Sequence, residues 1–334
     1  MPVIIAKTAS DLDRGDVLDI RMSNDVLSLR LLNRGATLWQ LRPTGTGDNE
    51  PSLCLGLDRP VDYGANHGYF GVTVGPVANR IAGATFELDG RIHRLETNEG
   101  PNQLHGGSFG FGHQLFDVEP LPGERGVRFS HHRPDGQGGY PGNLDVTVTY
   151  ELVGNRLRYQ WRAATDAATP VSLANHAYWN LAGYGTINDH EVLVRADRYV
   201  TVDDASLPTG ELADVEGTPY DLRTPRLLGD VIERLDGVGI DHCYALDPDY
   251  APAVQLHHPA SGRRLDITTT LPGVQVYCGQ LLDGSARSGG HQRHAGVCLE
   301  TQHLPDAVNQ PGFPNSVVRP EQMVSHVTDY VFSL

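Results

Sequence analysis

The sequence predicts an all-β protein, one large antiparallel β-sandwich that spans residues 1–334 as a single domain and has few short helices. Three observations support this fold class. Apolar and polar residues alternate with a period of two in several segments, as in strands with one buried face. The 38 glycines and 22 prolines favour many tight turns over long helices. No repeat or Pro/Ser-rich linker divides the 334 residues, a length within reach of one large all-β unit.

The first predicted hairpin lies around residue 90. Residues 85–88 and 91–95 are strand-like and flank Asp89-Gly90, which favours a tight turn because glycine tolerates the positive φ that the turn needs. Residues 127–129 predict a further strand.

The clearest hairpin spans residues 144–161. From Leu144 to Leu152 apolar residues alternate with polar ones, and residues 153–155 then turn the chain. Leu157, Tyr159 and Trp161 alternate with polar residues on the way back. A strand follows at residues 191–194.

The last third of the chain predicts one short helix and several more strands. Residues 226–235 are the helix, residues 253–257 and 263–268 form a hairpin, and residues 274–277 and the C-terminal tail are strands. An apolar strand at residues 296–299 leads directly into Glu300.

Charge and cysteine content exclude several classes of partner. A formal net charge of -15 makes nucleic acid or an anionic membrane surface an unfavourable partner. The four cysteines are widely scattered without paired spacing, which favours a reduced, cytoplasmic protein. The N-terminus lacks a basic segment followed by a sufficient apolar stretch for export, and no apolar run approaches membrane-spanning length.

Glu300 and His176 are the candidate proton-transfer residues. Glu300 lies at the rim of a strand before a proline turn, where a carboxylate is held rigidly at the mouth of a sheet. His176 lies among aromatic and amide residues that suit a sugar ring. A carboxylate base and a histidine acid need no metal, nucleotide or covalent step, which favours sugar chemistry. A buried structural histidine is the alternative interpretation of His176.

Four further residues are candidates for binding sugar hydroxyls. Arg80 offers a planar fork of donors, and His105 precedes two glycines where backbone can approach a ligand closely. Asp241 can accept hydrogen bonds from hydroxyls, and strand alternation places Gln275 on one face with Tyr277. The alternatives stay open: a surface arginine, a turn histidine in solvent and a strand-edge aspartate would look the same.

No sequence motif predicts a cofactor or a metal. The chain has no glycine-rich dinucleotide fingerprint, no phosphate-binding loop and no nucleophile elbow. His291 and His294 have a metal-like spacing, but we interpret their Gly- and Arg-rich loop as solvated. The doublet His257-His258 points to opposite faces of a strand, which argues against joint ligation.

Taken together, these segments resemble the aldose 1-epimerase (galactose mutarotase) family from about residue 33 to the C-terminus. The similarity rests on the order and spacing of several short motifs: Ala78-Asn79-Arg80-Ile81, Leu104-His105-Gly106-Gly107, Gly139-Tyr140-Pro141-Gly142, Asn175-His176-Ala177-Tyr178-Trp179, Gly239-Ile240-Asp241-His242 and Glu300-Thr301-Gln302.

The resemblance implies a galactose mutarotase-type sandwich that binds a monosaccharide in an open cleft and needs no cofactor. Glu300 matches the family's catalytic base and His176 its general acid. Its sugar-binding positions correspond here to Arg80, His105 and Asp241, with Asn79 and Gln275 as helpers. In this mechanism Glu300 acts ionised and His176 protonated, with Asp241 available to raise the pKa of His176.

Specificity and assembly stay open at this point. Pro76, Cys278 and Gln280 depart from residues that the family often has beside the site, which leaves the preferred sugar undecided. A specialised or phosphorylated sugar, or a non-catalytic sugar-binding protein on the same fold, are the alternative functions. A lyase or hydrolase would need a second catalytic module, for which the chain has no room. We expect a monomer or a homodimer.

Overall fold

Short strands connected by tight turns make up most of the fold. The computed structural model describes residues 3–11, 15–45 and 50–334. Within those residues the chain forms 27 strands, one α-helix and seven short 3₁₀ helices. The α-helix α1 spans Leu228–Arg234. The 3₁₀ helices are Pro60–Ala65, Ala82–Ala84, Gly107–Phe109, Phe111–His113, Pro122–Glu124, Gln137–Gly139 and Ala286–Ser288.

The strands follow one another along the whole chain. The first nine are β1 (Ile4–Asp11), β2 (Gly15–Ser23), β3 (Leu27–Leu32), β4 (Thr37–Pro43), β5 (Thr73–Val74), β6 (Arg80–Ile81), β7 (Thr85–Leu88), β8 (Arg91–Arg94) and β9 (Gln103–Leu104). The next nine are β10 (Asp117–Pro120), β11 (Gly126–Arg133), β12 (Leu144–Val153), β13 (Arg156–Thr165), β14 (Thr169–Pro170), β15 (Ala174–Asn175), β16 (Tyr178–Trp179), β17 (Glu191–Val194) and β18 (Arg198–Val202). The last nine are β19 (Pro208–Asp214), β20 (Arg226–Leu227), β21 (Asp241–Ala245), β22 (Val254–His258), β23 (Arg263–Thr269), β24 (Gly273–Tyr277), β25 (Val297–Gln302), β26 (Val317–Val318) and β27 (Val324–Ser333).

Two antiparallel sheets form the sandwich. The larger has the strand order β10-β11-β12-β13-β27-β23-β22-β17-β20, and the smaller has the order β16-β25-β24-β21-β18-β19. One buried apolar cluster contains Trp161 and Tyr330 from the larger sheet together with Val274, Val276 and Leu299 from the smaller. The two sheets therefore share a core, as a sandwich requires. Strands β1 to β4 form a separate meander whose apolar residues join the same cluster.

The structure confirms the predicted fold class and its hairpins. Strands β7 and β8 pair across Asp89 (φ 52°) and Gly90 (φ 75°), the two positive φ values of a tight hairpin turn. The pairs β12–β13 and β22–β23 are also antiparallel neighbours. In β12 every second residue from Leu144 to Leu152 is buried, as the alternation predicts.

The predicted helix is wrong at its beginning. Residues 226 and 227 form β20, which pairs with β17 at the edge of the larger sheet, and the helix begins only at Leu228. The backbone of Leu228 instead donates to the carbonyl of His190, so that tertiary pairing overrides the local helical pattern. No helix among the described residues is long and apolar enough to span a membrane.

Candidate active site

Alternation in the smaller sheet separates a core face from a cleft face. In β25, Val297 and Leu299 point into the core, so that Cys298 and Glu300 point the other way. In β24, Val274 and Val276 take the core positions and leave Gln275 and Tyr277 for the cleft. The prediction that Gln275 and Tyr277 share a face is therefore confirmed.

Strand register sets the positions of the cleft residues relative to one another. Gln275 is the cross-strand partner of Glu300, and Asp241 is the partner of Tyr277. Directly opposite residues in an antiparallel pair have Cβ atoms about 5 Å apart, so their side chains meet. Three neighbouring strands thus present two carboxyl groups and an amide to one space.

A second wall comes from short pairs outside the sheets. Strands β6 and β9 pair through Arg80 and Leu104, which brings Asn79 and His105 beside each other. The backbone N–H of Asn79 donates to Nδ1 of His105 at 3.1 Å, and the N–H of His105 donates to the Asn79 carbonyl at 3.0 Å. Asn79 and His105 have φ values of 65° and 53°, a strained conformation that these reciprocal bonds maintain.

All seven predicted site residues line one cleft of about 290 Å³, a size at the small end of ligand pockets. They are Asn79, Arg80, His105, His176, Asp241, Gln275 and Glu300. The structure therefore brings together residues that are as much as 221 positions apart in the sequence, from Asn79 to Glu300. Which of them binds sugar and which moves protons stays a prediction.

His176 and Glu300 are the two titratable groups that face each other at the floor of the cleft. Nε2 of His176 lies 3.7 Å from Oε1 of Glu300, and both side chains are buried, with 6% and 3% of their surface exposed. The second oxygen of Glu300, Oε2, has no hydrogen-bond partner among the described residues. A buried polar atom with unused capacity, aimed into a cleft, is suited to a ligand hydroxyl.

In the sugar-free protein, burial shifts the pKa values of both groups away from the charge states that the expected mechanism uses. Burial raises the pKa of Glu300 well above its ordinary value, with the neighbouring carboxyl of Asp241 adding to the effect. Burial lowers the pKa of His176 to about 4, a fall where a rise was expected. Because low polarity penalises both charges, the free pair favours a neutral carboxylic acid beside a neutral imidazole.

Two polar residues orient the sugar-binding candidates. Arg80 donates from Nε and Nη2 to the two oxygens of Glu99 at 2.7 and 2.8 Å, a bidentate pair that fixes the guanidinium plane. Nε2 of Gln275 donates to Oδ1 of Asp241 at 2.6 Å. Burial raises the pKa of Asp241, while Arg80 and the Gln275 bond oppose that rise.

Sequence reasoning missed several contributors to the cleft. Tyr69 packs edge-on against His105 with ring centroids 4.7 Å apart and lies 5.9 Å from His176. Glu99 holds Arg80, and Cys298 contacts His176. No motif marks Tyr69 or Glu99, but the two-residue spacing of Cys298 and Glu300 is a signal that could have placed both on one face of the strand.

His105, His176 and Glu300 lie close enough together for metal ligation, but their hydrogen bonds favour a different role. Nδ1 of His105 accepts the Asn79 N–H, so that a neutral ring carries its proton on Nε2. That Nε2 is then a donor into the cleft and has no lone pair for a metal. The arrangement fits a hydrogen-bonding site for hydroxyl groups.

A second cluster of possible metal ligands, Asp189, His190 and His258, lies away from the cleft, and hydrogen bonds occupy its ring nitrogens as well. Nε2 of His190 accepts the Leu181 N–H at 3.0 Å, which leaves the proton on Nδ1, 3.2 Å from Oδ1 of Asp189. His258 is buried and stacks on His190, while His257 is half-buried beside Glu191. The expectation that His257 and His258 point to opposite faces is thus confirmed.

The interpretation of the 291–294 loop as solvated is wrong for His294. Its side chain is buried, with Nδ1 2.8 Å from the carbonyl of Cys278 and Nε2 3.2 Å from that of Gly237. A carbonyl oxygen can only accept, so Nδ1 donates to Cys278, while Nε2 accepts from Nε of Arg293 at 3.2 Å. The ring of His294 is therefore a structural contact between two loops.

Comparisons with known proteins identify the family and the fold of the chain. A family model described as aldose 1-epimerase matches residues 19–331. The galactose mutarotase of Bos taurus is 43% identical and covers 97% of this chain and 96% of its own, and that of Homo sapiens is 42% identical with 96% and 95% covered. The solved galactose 1-epimerase from Lactobacillus acidophilus superposes with a TM-score of 0.89 at 27% identity, covering 100% of this chain and 99% of its own.

Proposed function

Because this chain belongs to the aldose 1-epimerase family, we propose that it is a cofactor-independent isomerase that interconverts the α and β anomers of a free aldose such as D-galactose or D-glucose. The observation that carries the proposal is the buried pair of Glu300 and His176, 3.7 Å apart on the floor of a polar cleft. Two proton-transfer groups at one site suit a reaction in which one oxygen loses a proton while another gains one.

In the proposed mechanism Glu300 takes the proton of the anomeric hydroxyl at C1, and Nε2 of His176 gives a proton to the ring oxygen. The bond between C1 and the ring oxygen breaks, and the free aldehyde forms. The C1–C2 bond then rotates, and the ring oxygen closes on the opposite face of the carbonyl carbon. During closure His176 recovers its proton from the ring hydroxyl and Glu300 returns one to the C1 oxygen.

The neutral pair that burial favours in the free protein carries the same number of protons as the charged pair that begins ring opening. Ionised Glu300 with protonated His176 holds one transferable proton, and so does protonated Glu300 with neutral His176. The second arrangement is also the one that the mechanism reaches once the ring is open. Burial therefore stabilises the open-chain complex, in which both groups are neutral. The charged arrangement that begins ring opening is favoured only when a bound sugar supplies hydrogen bonds to it.

The remaining cleft residues hold the sugar in this proposal. Arg80, kept in plane by Glu99, donates to hydroxyl oxygens, and so does Nε2 of His105. Asp241 accepts from hydroxyls, while Asn79 and Gln275 support His105 and Asp241 by direct bonds. Fixed donors and acceptors align the anomeric and ring oxygens with the two proton-transfer groups, which accounts for much of the expected rate gain.

The cleft disfavours a phosphorylated sugar. Its lining carries the arginines Arg80 and Arg287 against the carboxyl groups of Asp241, Asp283 and Glu300, and Arg80 is already paired. Even with Glu300 neutral, the two aspartates balance the two arginines, so a phosphate dianion would meet no excess positive charge there. A non-catalytic sugar-binding protein would have no use for a buried acid–base pair, which destabilises the fold at neutral pH.

We also propose that the protein acts in the cytoplasm, without nucleic acid partners, as a monomer or homodimer. All four cysteines are buried and unpaired, which suits a reducing compartment. The net charge of -15 supports the lack of affinity for nucleic acid.

Polarimetry of freshly dissolved α-D-galactose and α-D-glucose tests the function. We expect wild type to speed relaxation to the equilibrium rotation, and Glu300→Gln to lose about 10²-fold or more of that rate. Glu191→Gln is the matched control, since this glutamate lies on the larger sheet beside His257. Relaxation no faster than buffer for both sugars, together with undetectable binding of either, would remove these substrates; binding without acceleration would establish the non-catalytic alternative.

A further inference from the structure

Two side chains of β25 bracket the ring of His176. Glu300 lies 3.7 Å from Nε2, and Sγ of Cys298 lies 3.5 Å from Nδ1. Cys298 is fully buried, and its cross-strand partners are Tyr178 and Tyr277. Because strand alternation places residues 298 and 300 on the same face, one rigid strand fixes the surroundings of both ring nitrogens.

The proposed reaction makes demands on the neutral form of this ring. A neutral imidazole has one proton, on either Nδ1 or Nε2. After Nε2 has given its proton to the ring oxygen, the remaining proton is on Nδ1, and Nε2 must keep a free lone pair to take the proton back. A neutral ring with its proton on Nε2 offers no base toward the cleft and cannot complete the cycle.

The contacts of Nδ1 suit this requirement. The sulfur of Cys298 lies within hydrogen-bond distance of Nδ1, and a neutral thiol is a weak, polarizable acceptor as well as a weak S–H donor. The backbone carbonyl of His176 also acts to raise the pKa of its own ring. A carbonyl can only accept, and Nδ1 is the ring nitrogen close enough to the backbone to donate to it. Burial, together with nearby Glu300, raises the pKa of the Cys298 thiol well above its ordinary value, so that the sulfur stays uncharged and does not pull the proton away as a thiolate.

We propose that Cys298 is a positioning residue that keeps the proton of neutral His176 on Nδ1, so that Nε2 is the nitrogen that exchanges a proton with the sugar. The proposal rests on the proposed function for its catalytic consequence. The location of the proton, however, is a property of the free protein. A stronger partner such as a carboxylate would raise the pKa of the imidazole, whereas the weak sulfur orients the ring and leaves its basicity low.

Nitrogen NMR of ¹⁵N-histidine-labelled protein measures this directly. The two ring nitrogens have well-separated shifts with and without a proton, and the spectrum of His176→Gln identifies the signals of this residue. At pH 7 we expect a protonated Nδ1 and a bare Nε2 in wild type. Cys298→Ala removes the acceptor and should move the ring toward the Nε2-protonated form, the one favoured in water.

Catalysis should follow that population. If the Nδ1-protonated ring falls from the dominant to the minor tautomer of neutral His176, kcat should drop about three- to tenfold with KM little changed. Cys54→Ala is the matched control, because Cys54 is another fully buried thiol with a side-chain partner, Ser52, away from the cleft. It should show a similar loss of stability with an unchanged His176 signal and unchanged kcat.

Two results would overturn the proposal: a wild-type signal with the proton on Nε2, or a Cys298→Ala variant in which both the signal and kcat match Cys54→Ala. Failure of the proposed function is distinguishable from either. Suppose that wild-type protein does not speed the mutarotation of either sugar but shows a protonated Nδ1. That result would support the proposed tautomer and contradict the proposed epimerase function.

Discussion

Replacing Glu300 by glutamine should make the protein more stable at high pH, even as it removes activity. The carboxyl group is 3% exposed, its Oε2 has no partner among the described residues, and the nearest titratable neighbour is 3.7 Å away. Burial raises its pKa in the folded state above that in the unfolded chain. The folded protein therefore binds the extra proton over the interval between the two values, and stability falls as the pH rises through that interval.

The size of the gain follows from the unsatisfied group. Once ionised at high pH, a buried carboxyl group without partners costs about 1–3 kcal/mol, a cost that the neutral amide of glutamine does not have. An unfolding entropy of ~2.1 cal/mol/K per residue over 334 residues gives about 0.7 kcal/mol/K, so this cost corresponds to about 1.5–4 °C in Tm. Glu300→Gln should thus unfold about 1.5–4 °C above wild type at pH 8 and within a degree or so of it at pH 4.5.

Differential scanning calorimetry of the sugar-free protein at both pH values is the assay. Glu99→Gln is the control, since Glu99 already has a bidentate partner in Arg80 and its amide variant loses an ion pair. Two results would refute the argument that ionisation of buried Glu300 destabilises the fold. One is a Tm difference between Glu300→Gln and wild type that is the same at both pH values, and the other is a Tm of the variant below that of wild type at pH 8.

Two further predictions concern sugar binding and the backbone beneath the site. Arg80→Lys should raise KM about 10- to 100-fold in steady-state polarimetry, since lysine cannot pair with Glu99 in two directions and lie flat toward the sugar; an unchanged KM would remove Arg80 from the binding set. Gly71→Ala should destabilise by about 3 kcal/mol or more in urea unfolding, because its Cβ would fall on the Leu38 carbonyl at a φ of +66°. Gly90→Ala, at a φ of +75° with open space around it, should cost only about 1 kcal/mol, and equal losses would contradict the steric argument.

The parts of the fold that sequence could predict are local. Asp89-Gly90 specifies its own turn, and the alternation of Leu144 to Leu152 specifies its own buried face, because both depend on neighbours within a few residues. The edge strand at residues 226–227 was missed because its partner is far away in the sequence: Leu227 pairs with Glu191 of β17, 36 positions upstream.

The candidate site divides in the same way. Its residues were identified from motifs and resemblance, and the structure gathers all seven into one cleft. Their electrostatics could not be predicted, because the pKa directions of Glu300 and His176 arise from burial under the whole sandwich. The contact of Cys298 with His176 depends on the distance between two strands that pair through Tyr178. Sequence alone does not indicate which strands become neighbours.

The position of β27 has a consequence for how a growing chain acquires this fold. Residues 324–333 lie between β13 and β23, in the middle of the larger sheet, although they are far along the chain. Until they are released from the ribosome, the sheet consists of two four-stranded halves, each with an unpaired edge that should be central. Before residues 324–333 emerge, the inner edges of β13 and β23 are therefore open to pairing with the same edges of other nascent chains.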